Sequence, residues 1–235
     1  MNSTLNMLNR CAVLLLALYA LLPGAVRAAS DFSAAEKALF TTNHLGKLKP
    51  PLTLHYSFRK TGTLEEPFSD TVDLMLSAQG DGSCCAAKAR FLSGAREMRQ
   101  PEVDGVEGNP AILYFLERDI REMQRLTKGS PNYFRKRIRM AVYEGASIRT
   151  LTLPYRGRPV AVQEISISPY LDDPNRPRYE KLANKQYVFV LSDAVPGGLY
   201  GIRSRISGAS ADAPPLIVDE MLVDGAETWP AQRQP

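Results

Sequence analysis

Histidine is almost missing from this chain: among 235 residues only His44 and His55 carry an imidazole. They stand in different segments, without a neighbouring Cys, Asp or Glu cluster, so the spacing of a His/Cys metal site is missing. A serine nucleophile would have only these two rings to draw on as its base. The Gly-x-Ser-x-Gly elbow, the phosphate-cradling glycine loop and the His-Glu-x-x-His pair do not occur. No catalytic set is complete, and neither a metal nor a cofactor is expected. A large surplus of one charge is also lacking: 29 Lys and Arg face 25 Asp and Glu, which is not the balance of a dedicated nucleic-acid binder.

Long apolar runs are scarce as well. The longest is Cys11 to Leu22, preceded by Arg10, broken by Pro23-Gly24 and followed by Val26-Arg27-Ala28. A basic start, a short apolar stretch and small residues at the −3 and −1 positions are the pattern of a cleaved secretory signal peptide. The run is short for a hydrocarbon core of roughly 30 Å. Residues 1–28 are therefore expected to be removed, residues 29–228 to form a single domain and residues 229–235 a tail anchored by Trp229. The expected location is the bacterial periplasm. Cleavage would take away Arg10 and Arg27, leaving 27 basic residues against 25 acidic ones.

Cysteine is rare, and the two beyond the leader are neighbours, Cys84 and Cys85. In an oxidising compartment they are candidates for a vicinal disulfide. Neighbouring strand residues point to opposite faces, so a bridge requires a turn-like backbone, and two unbridged small residues remain the alternative.

The most organised stretch is Asn109 to Gly145. Asn109-Pro110 opens a helical run that ends at Lys128-Gly129, and Ser130-Pro131 opens a second that ends at Glu144-Gly145. Capping side chains, prolines at first helical positions and glycines expected in left-handed stops predict two helices with a short joint. Ile112, Leu116, Ile120 and Met123 form an apolar stripe on the first, and Phe134, Ile138, Ala141 and Val142 on the second. A shorter helix is predicted over 31–42, where Ser33 and Glu36 fit a capping box.

Elsewhere the period is two. Leu52, Leu54, Tyr56 and Phe58 alternate with polar residues, as do Val72, Leu74 and Leu76, and a third strand follows the Gly80-Asp81-Gly82 reversal. Five more strands are predicted after Gly145, with a bulge near Gln163-Glu164 where the alternation breaks. Asp172-Asp173 reads as a solvated turn. Direct hairpins without strand–helix–strand alternation predict an α+β fold: a curved antiparallel sheet, or incomplete barrel, of about eight strands covered by the helical pair.

The helical pair also concentrates charge. From Glu117 to Arg139 eight basic residues face three acidic ones, and Arg135, Lys136, Arg137 and Arg139 crowd into five positions. This is either a solvated helix surface or a patch that docks an acidic protein or anionic polymer of the envelope.

The run Leu52-x-Leu54-x-Tyr56-x-Phe58, the Gly62 connection to Val72-x-Leu74, the Gly80-Asp81-Gly82 reversal and the helices set between strand groups resemble the periplasmic lipoprotein-carrier superfamily of LolA and LolB. The resemblance implies a half-barrel whose concave apolar side holds acyl chains. It would make the chain a non-enzymatic carrier of a lipid or lipidated partner, and it assigns no residue a role. The apolar stripes themselves make Ile112, Leu116, Ile120, Met123, Phe134 and Ile138 the candidates for lining the cavity beneath the lid.

Overall fold

The computed structural model describes residues 32–80, 82, 84–210, 212–227 and 229. The expected leader 1–28, and all of the expected tail except Trp229, lie outside the described residues.

Alternation of apolar and polar residues produces one antiparallel sheet. Its strands are β1 (Leu52–Thr61), β2 (Phe68–Ala78), β3 (Cys84–Phe91), β4 (Met98–Arg99), β5 (Ser147–Tyr155), β6 (Arg158–Ile167), β7 (Lys185–Leu191), β8 (Leu199–Ile206) and β9 (Ile217–Val223). The spatial order is β4-β3-β2-β1-β9-β8-β7-β6-β5, an open sheet in which the last strand is inserted between β1 and β8. The short β4 lies within the polar stretch 93–108 and pairs through Arg90 with Arg99 and Phe91 with Met98.

Register decides which side chains share a face. Leu54, Tyr56 and Phe58 stand beside Leu74, Val72 and Asp70 on one side of β1, and Tyr56 and Phe58 beside Val223 and Met221 on the other. Ile202 then aligns with Met221, Phe189 with Ile202, and Ile165 with Phe189. All of these except the part-exposed Asp70 form the buried concave face. The bulge expected near Gln163-Glu164 is not there, because β5 and β6 pair in continuous register from Ser147↔Ser166 to Tyr155↔Arg158. The alternation breaks for another reason. Val160 and Val162 face away from Ile165 and Ile167 and meet Leu153 and Leu151 on β5, forming a second apolar patch on the convex side. Beside it Tyr155 bridges to Ala226, and the Arg203 guanidinium lies 4.4 Å from the Trp229 ring centre.

Four helices among the described residues accompany the sheet. The Ser33–Glu36 capping box forms in α1 (Ala34–Glu36), which continues as a π turn over Lys37–Thr41. The Ser33 hydroxyl also donates to the Val142 carbonyl at 3.2 Å, tying α1 to the second lid helix. The helical pair is α2 (Ala111–Thr127) and α3 (Pro131–Glu144), and a short α4 (Arg176–Tyr179) precedes β7. Asn109 stands one position before the cap of α2, which is Pro110 and not Asn109 as expected, and its Oδ1 accepts from the Ala111 N–H at 3.1 Å. The glycine stops need correcting. Lys128, not Gly129, takes the left-handed conformation, and Gly145 has φ −124°. The Ser130 side chain likewise makes no cap bond.

Gly129 is required for space instead, since a Cβ there would stand 2.5 Å from the Phe134 ring. Gly129→Ala should therefore cost about 1–3 kcal/mol through forced displacement of that ring. Urea denaturation would read the cost as a lowered midpoint, and an unchanged midpoint would mean the joint is loosely packed.

Candidate functional site

The two lid helices lie over the concave face because each has one apolar stripe to bury. Ile112, Leu116, Ile120 and Met123 on α2, and Phe134 and Ile138 on α3, are all buried and belong to the same core as the inward strand residues. Phe58 on β1 and Phe115 on α2 bring their rings to 6.2 Å. Under α3, Phe134 stands 5.7 Å from both Tyr170 and Tyr179. The space beneath the lid is thus occupied by the protein's own side chains.

One part of that interface is charged. The inward face of α2 also carries Arg118, Asp119 and Glu122, which meet Lys60 of β1, Lys185 of β7 and Asp219 of β9. Lys185 and Asp219 are fully buried, and Lys60 is 3% exposed. Lys185 pairs with Asp119, which also accepts from the Tyr187 hydroxyl at 2.5 Å and the Ser204 hydroxyl at 3.2 Å. Arg118 donates to Asp219 at 2.9 Å and stacks over Phe58 at 4.8 Å. Lys60 pairs with Glu122 and, at 2.6 Å, with Glu65 of the β1–β2 connection.

Three cations and three carboxylates neutralise one another at the centre of this cluster. Taking six charges out of water costs about as much as their attraction returns, so the cluster adds little net stability. What it does is fix how α2 sits on the sheet, because any other register leaves a buried charge unpaired. Asp119, Glu122 and Asp219 bring carboxylate oxygens within 4.8 Å of one another, a spacing compatible with a cation. The ammonium and guanidinium groups of Lys185, Lys60 and Arg118 already supply positive charge among them.

The carboxyls of Glu122 and Asp219 respond oppositely to this setting. Burial pushes Asp219 up to about 6, with Arg118 opposing and Glu122 adding to the rise. Burial also acts to raise Glu122, but Lys185, Arg118 and Lys60 together overcome it and hold the group down to about 2. A carboxyl raised in the folded state contributes stability below its unfolded value near 4 and loses that contribution as pH rises through about 6. A depressed one contributes above its unfolded value of about 4.5 and loses it as pH falls toward 2. His44 adds a slope of its own sign. Burial lowers its pKa, and its Nδ1 accepts from the Asn109 N–H at 3.2 Å, so its contribution falls as pH drops below about 6.5. The Asp219 component is isolated by difference. Between pH 4 and 6.5 the stability of Asp219→Asn relative to wild type should rise with pH, measured by denaturation at fixed ionic strength. A flat difference would remove Asp219 as the titrating group.

The crowded basic residues separate in the structure. Arg135 forks onto Glu117, with bonds of 3.1 and 2.6 Å. Arg137 turns inward to the buried Asp173 at 3.0 Å and the Pro169 carbonyl at 3.1 Å. Lys136 and Arg139 are exposed, with no ion pair among the described residues. The solvated turn expected at Asp172-Asp173 holds for Asp172 only. Asp173 is buried and accepts from the Tyr133 hydroxyl at 2.7 Å, which pins α3 to the loop before β7. The sulfurs of Cys84 and Cys85 lie within bonding distance of each other at the start of β3.

Clefts open at the surface among the described residues. One, of about 500 Å³, has His44, Ser192 and Asp193 among its lining. Its serine hydroxyl is committed to the Ala161 carbonyl at 2.7 Å. Another, of about 400 Å³, lies beside the charged cluster, with Lys60, Arg118 and Glu122 among its lining. No expectation from the sequence covers this cluster, although its signal is present in the residue spacing.

No protein-family model and no curated protein matches this chain. Among solved structures the chain is similar to lipoprotein LppX of Mycobacterium tuberculosis, at 9% identity and TM-score 0.33 over 81% of this chain and 92% of that one. It is also similar to the MucA/MucB complex of Pseudomonas aeruginosa, at 13% identity and TM-score 0.31 over 83% of this chain and 59% of the other. A third likeness is to the LolA superfamily protein NE2245 of Nitrosomonas europaea, at 9% identity and TM-score 0.21 over 83% and 94%. At TM-scores this low, the functional reading rests on the geometry of the chain itself.

Proposed function

We propose that this chain is a non-enzymatic periplasmic envelope protein that binds or carries a lipid or lipidated partner in the half-barrel, with α2 and α3 as the lid. One observation carries the reading: outside the charged cluster, the concave face of an open sheet is apolar along β1, β2, β3, β6, β7, β8 and β9 and is covered by two amphipathic helices. An acyl chain entering there would take the place of Ile112, Leu116, Ile120, Met123, Phe134 and Ile138, so uptake requires the lid to lift. The charged cluster sets where the lid returns. Lifting exposes apolar area at about 25 cal/mol per Å², which a bound acyl chain would cover again.

Delipidated protein should take up a fluorescent acyl probe and release it to competing fatty acid. Protein recovered from the periplasm should show bound lipid by native mass spectrometry. If the delipidated protein takes up no acyl probe, the proposal fails.

A second reading, docking of an acidic protein or polymer on 109–145, is favoured by the outward positions of Lys136 and Arg139. Reversing both charges should leave acyl uptake within about twofold, because exposed charges this far out contribute little to a buried site. Loss of uptake in that variant would merge the two surfaces into one.

A further inference from the structure

The cleft beside the charged cluster is unevenly charged. Lys60, Arg96, Arg118, Arg121 and Arg125 line it against Glu65, Glu66 and Glu122. Two of the cations are weakly engaged. Arg96 stacks over the Phe68 ring at 4.3 Å, with no carboxylate within 4.0 Å among the described residues. Among the described residues Arg121 reaches only Glu117, at 3.7 Å, and that carboxylate is already held by the Arg135 fork. Between the other cations sits Glu65. Its carboxylate pairs with Lys60 at the floor and with Arg125 at the rim. It reaches them from the short connection 62–67, which is held to the chain before β9 by the Thr63 and Leu64 N–H groups.

We propose that this cleft takes the anionic group, phosphate or carboxylate, of the ligand held in the half-barrel, and that Glu65 occupies the place of that anion in the closed state. The inference rests on the carrier reading for the source of the anion. The chemistry follows from the residues. Arginine forks match the oxygens of phosphate and carboxylate, and the bonds are strengthened by charge on both partners. The cleft opens directly onto the cluster that seats α2, since Lys60, Arg118 and Glu122 belong to both. An incoming anion that displaces Glu65 therefore changes the partners of the lid's own ion pairs. Head-group capture and lid movement would be linked through Lys60.

The test uses the delipidated protein with three probes: monomeric short-chain phosphatidylglycerol, diacylglycerol of the same chain length, which lacks the phosphate, and inorganic phosphate. Calorimetric titration should give phosphatidylglycerol binding about tenfold tighter than diacylglycerol. Arg96→Glu and Arg121→Glu should each bring phosphatidylglycerol to the diacylglycerol level. Glu65→Gln, nearly identical in shape, should tighten phosphatidylglycerol binding severalfold, and circular dichroism would confirm that all three variants are folded. Equal binding of the two lipids, or no gain in Glu65→Gln, overturns the head-group inference and leaves the carrier reading standing. Binding of inorganic phosphate that Arg121→Glu abolishes, with no uptake of either lipid, supports the anion site and overturns the carrier reading.

Discussion

Replacing Lys185 with methionine should destabilise the protein by about 3–5 kcal/mol, the penalty expected when a buried charge loses its partner. Lys185 is fully buried on the inward register of β7, paired with Asp119 and 3.8 Å from Glu122. Methionine fills nearly the same volume, so the loss comes from charge and not from a cavity. Without the ammonium, Asp119 retains only the hydroxyls of Tyr187 and Ser204 as donors from the sheet. The companion variant Asp119→Asn with Lys185→Met removes both charges of the pair and should recover most of the stability, because the pair as a whole is close to neutral in net worth. Guanidinium denaturation of both variants decides the point. A single-variant loss under about 1 kcal/mol would show that water reaches Lys185, against its complete burial.

That cluster also shows where the sequence was legible and where it was not. The three groups of elements, the capping box at Ser33 and the apolar stripes on α2 and α3 are local signals, and the structure contains them. The charged cluster is not local. Lys60 keeps the inward parity of Leu54, Tyr56 and Phe58, Asp219 that of Ile217 and Met221, and Lys185 that of Tyr187 and Phe189. On α2, Asp119 lies three residues after Leu116 and four before Met123, inside the apolar stripe. Each is a charge at a position whose neighbours are buried, which is a detectable anomaly. The charge total along 117–139 does not reveal it, because Arg118, Asp119 and Glu122 alternate with outward residues. Their pairing was beyond a reading of the sequence, since it depends on β9 being inserted between β1 and β8. The same is true of Asp173, whose partners Tyr133 and Arg137 come from a helix about 40 residues away. Gly129 illustrates the opposite error: a familiar helix-stop residue is there because the Phe134 ring needs the room.

Phe134→Ala should cost about 3–5 kcal/mol, and its consequence should be confined to one half of the lid. The ring is fully buried, meets Tyr170 edge-on and Tyr179 at a tilt, and is 6.2 Å from the Tyr133 ring. Truncation removes the transfer energy of the ring and leaves a cavity that Gly129, with no side chain, cannot fill. The charged cluster does not include α3, so α2 keeps every ion pair to β1, β7 and β9. Hydrogen exchange should therefore quicken across 131–144 before it quickens in α2 or in β1, β2 and β9, as expected when the least anchored unit opens first. If α3 is part of the lid, this weakening should also speed acyl-probe uptake, because less work is needed to expose the concave face. Two outcomes would count against that role: faster exchange in α3 with unchanged uptake, or an exchange change spread evenly over both helices. The first would leave α2 alone as the moving element. The second would make the two helices one rigid cover, lifted only when the buried ion pairs around Lys185 and Lys60 separate together.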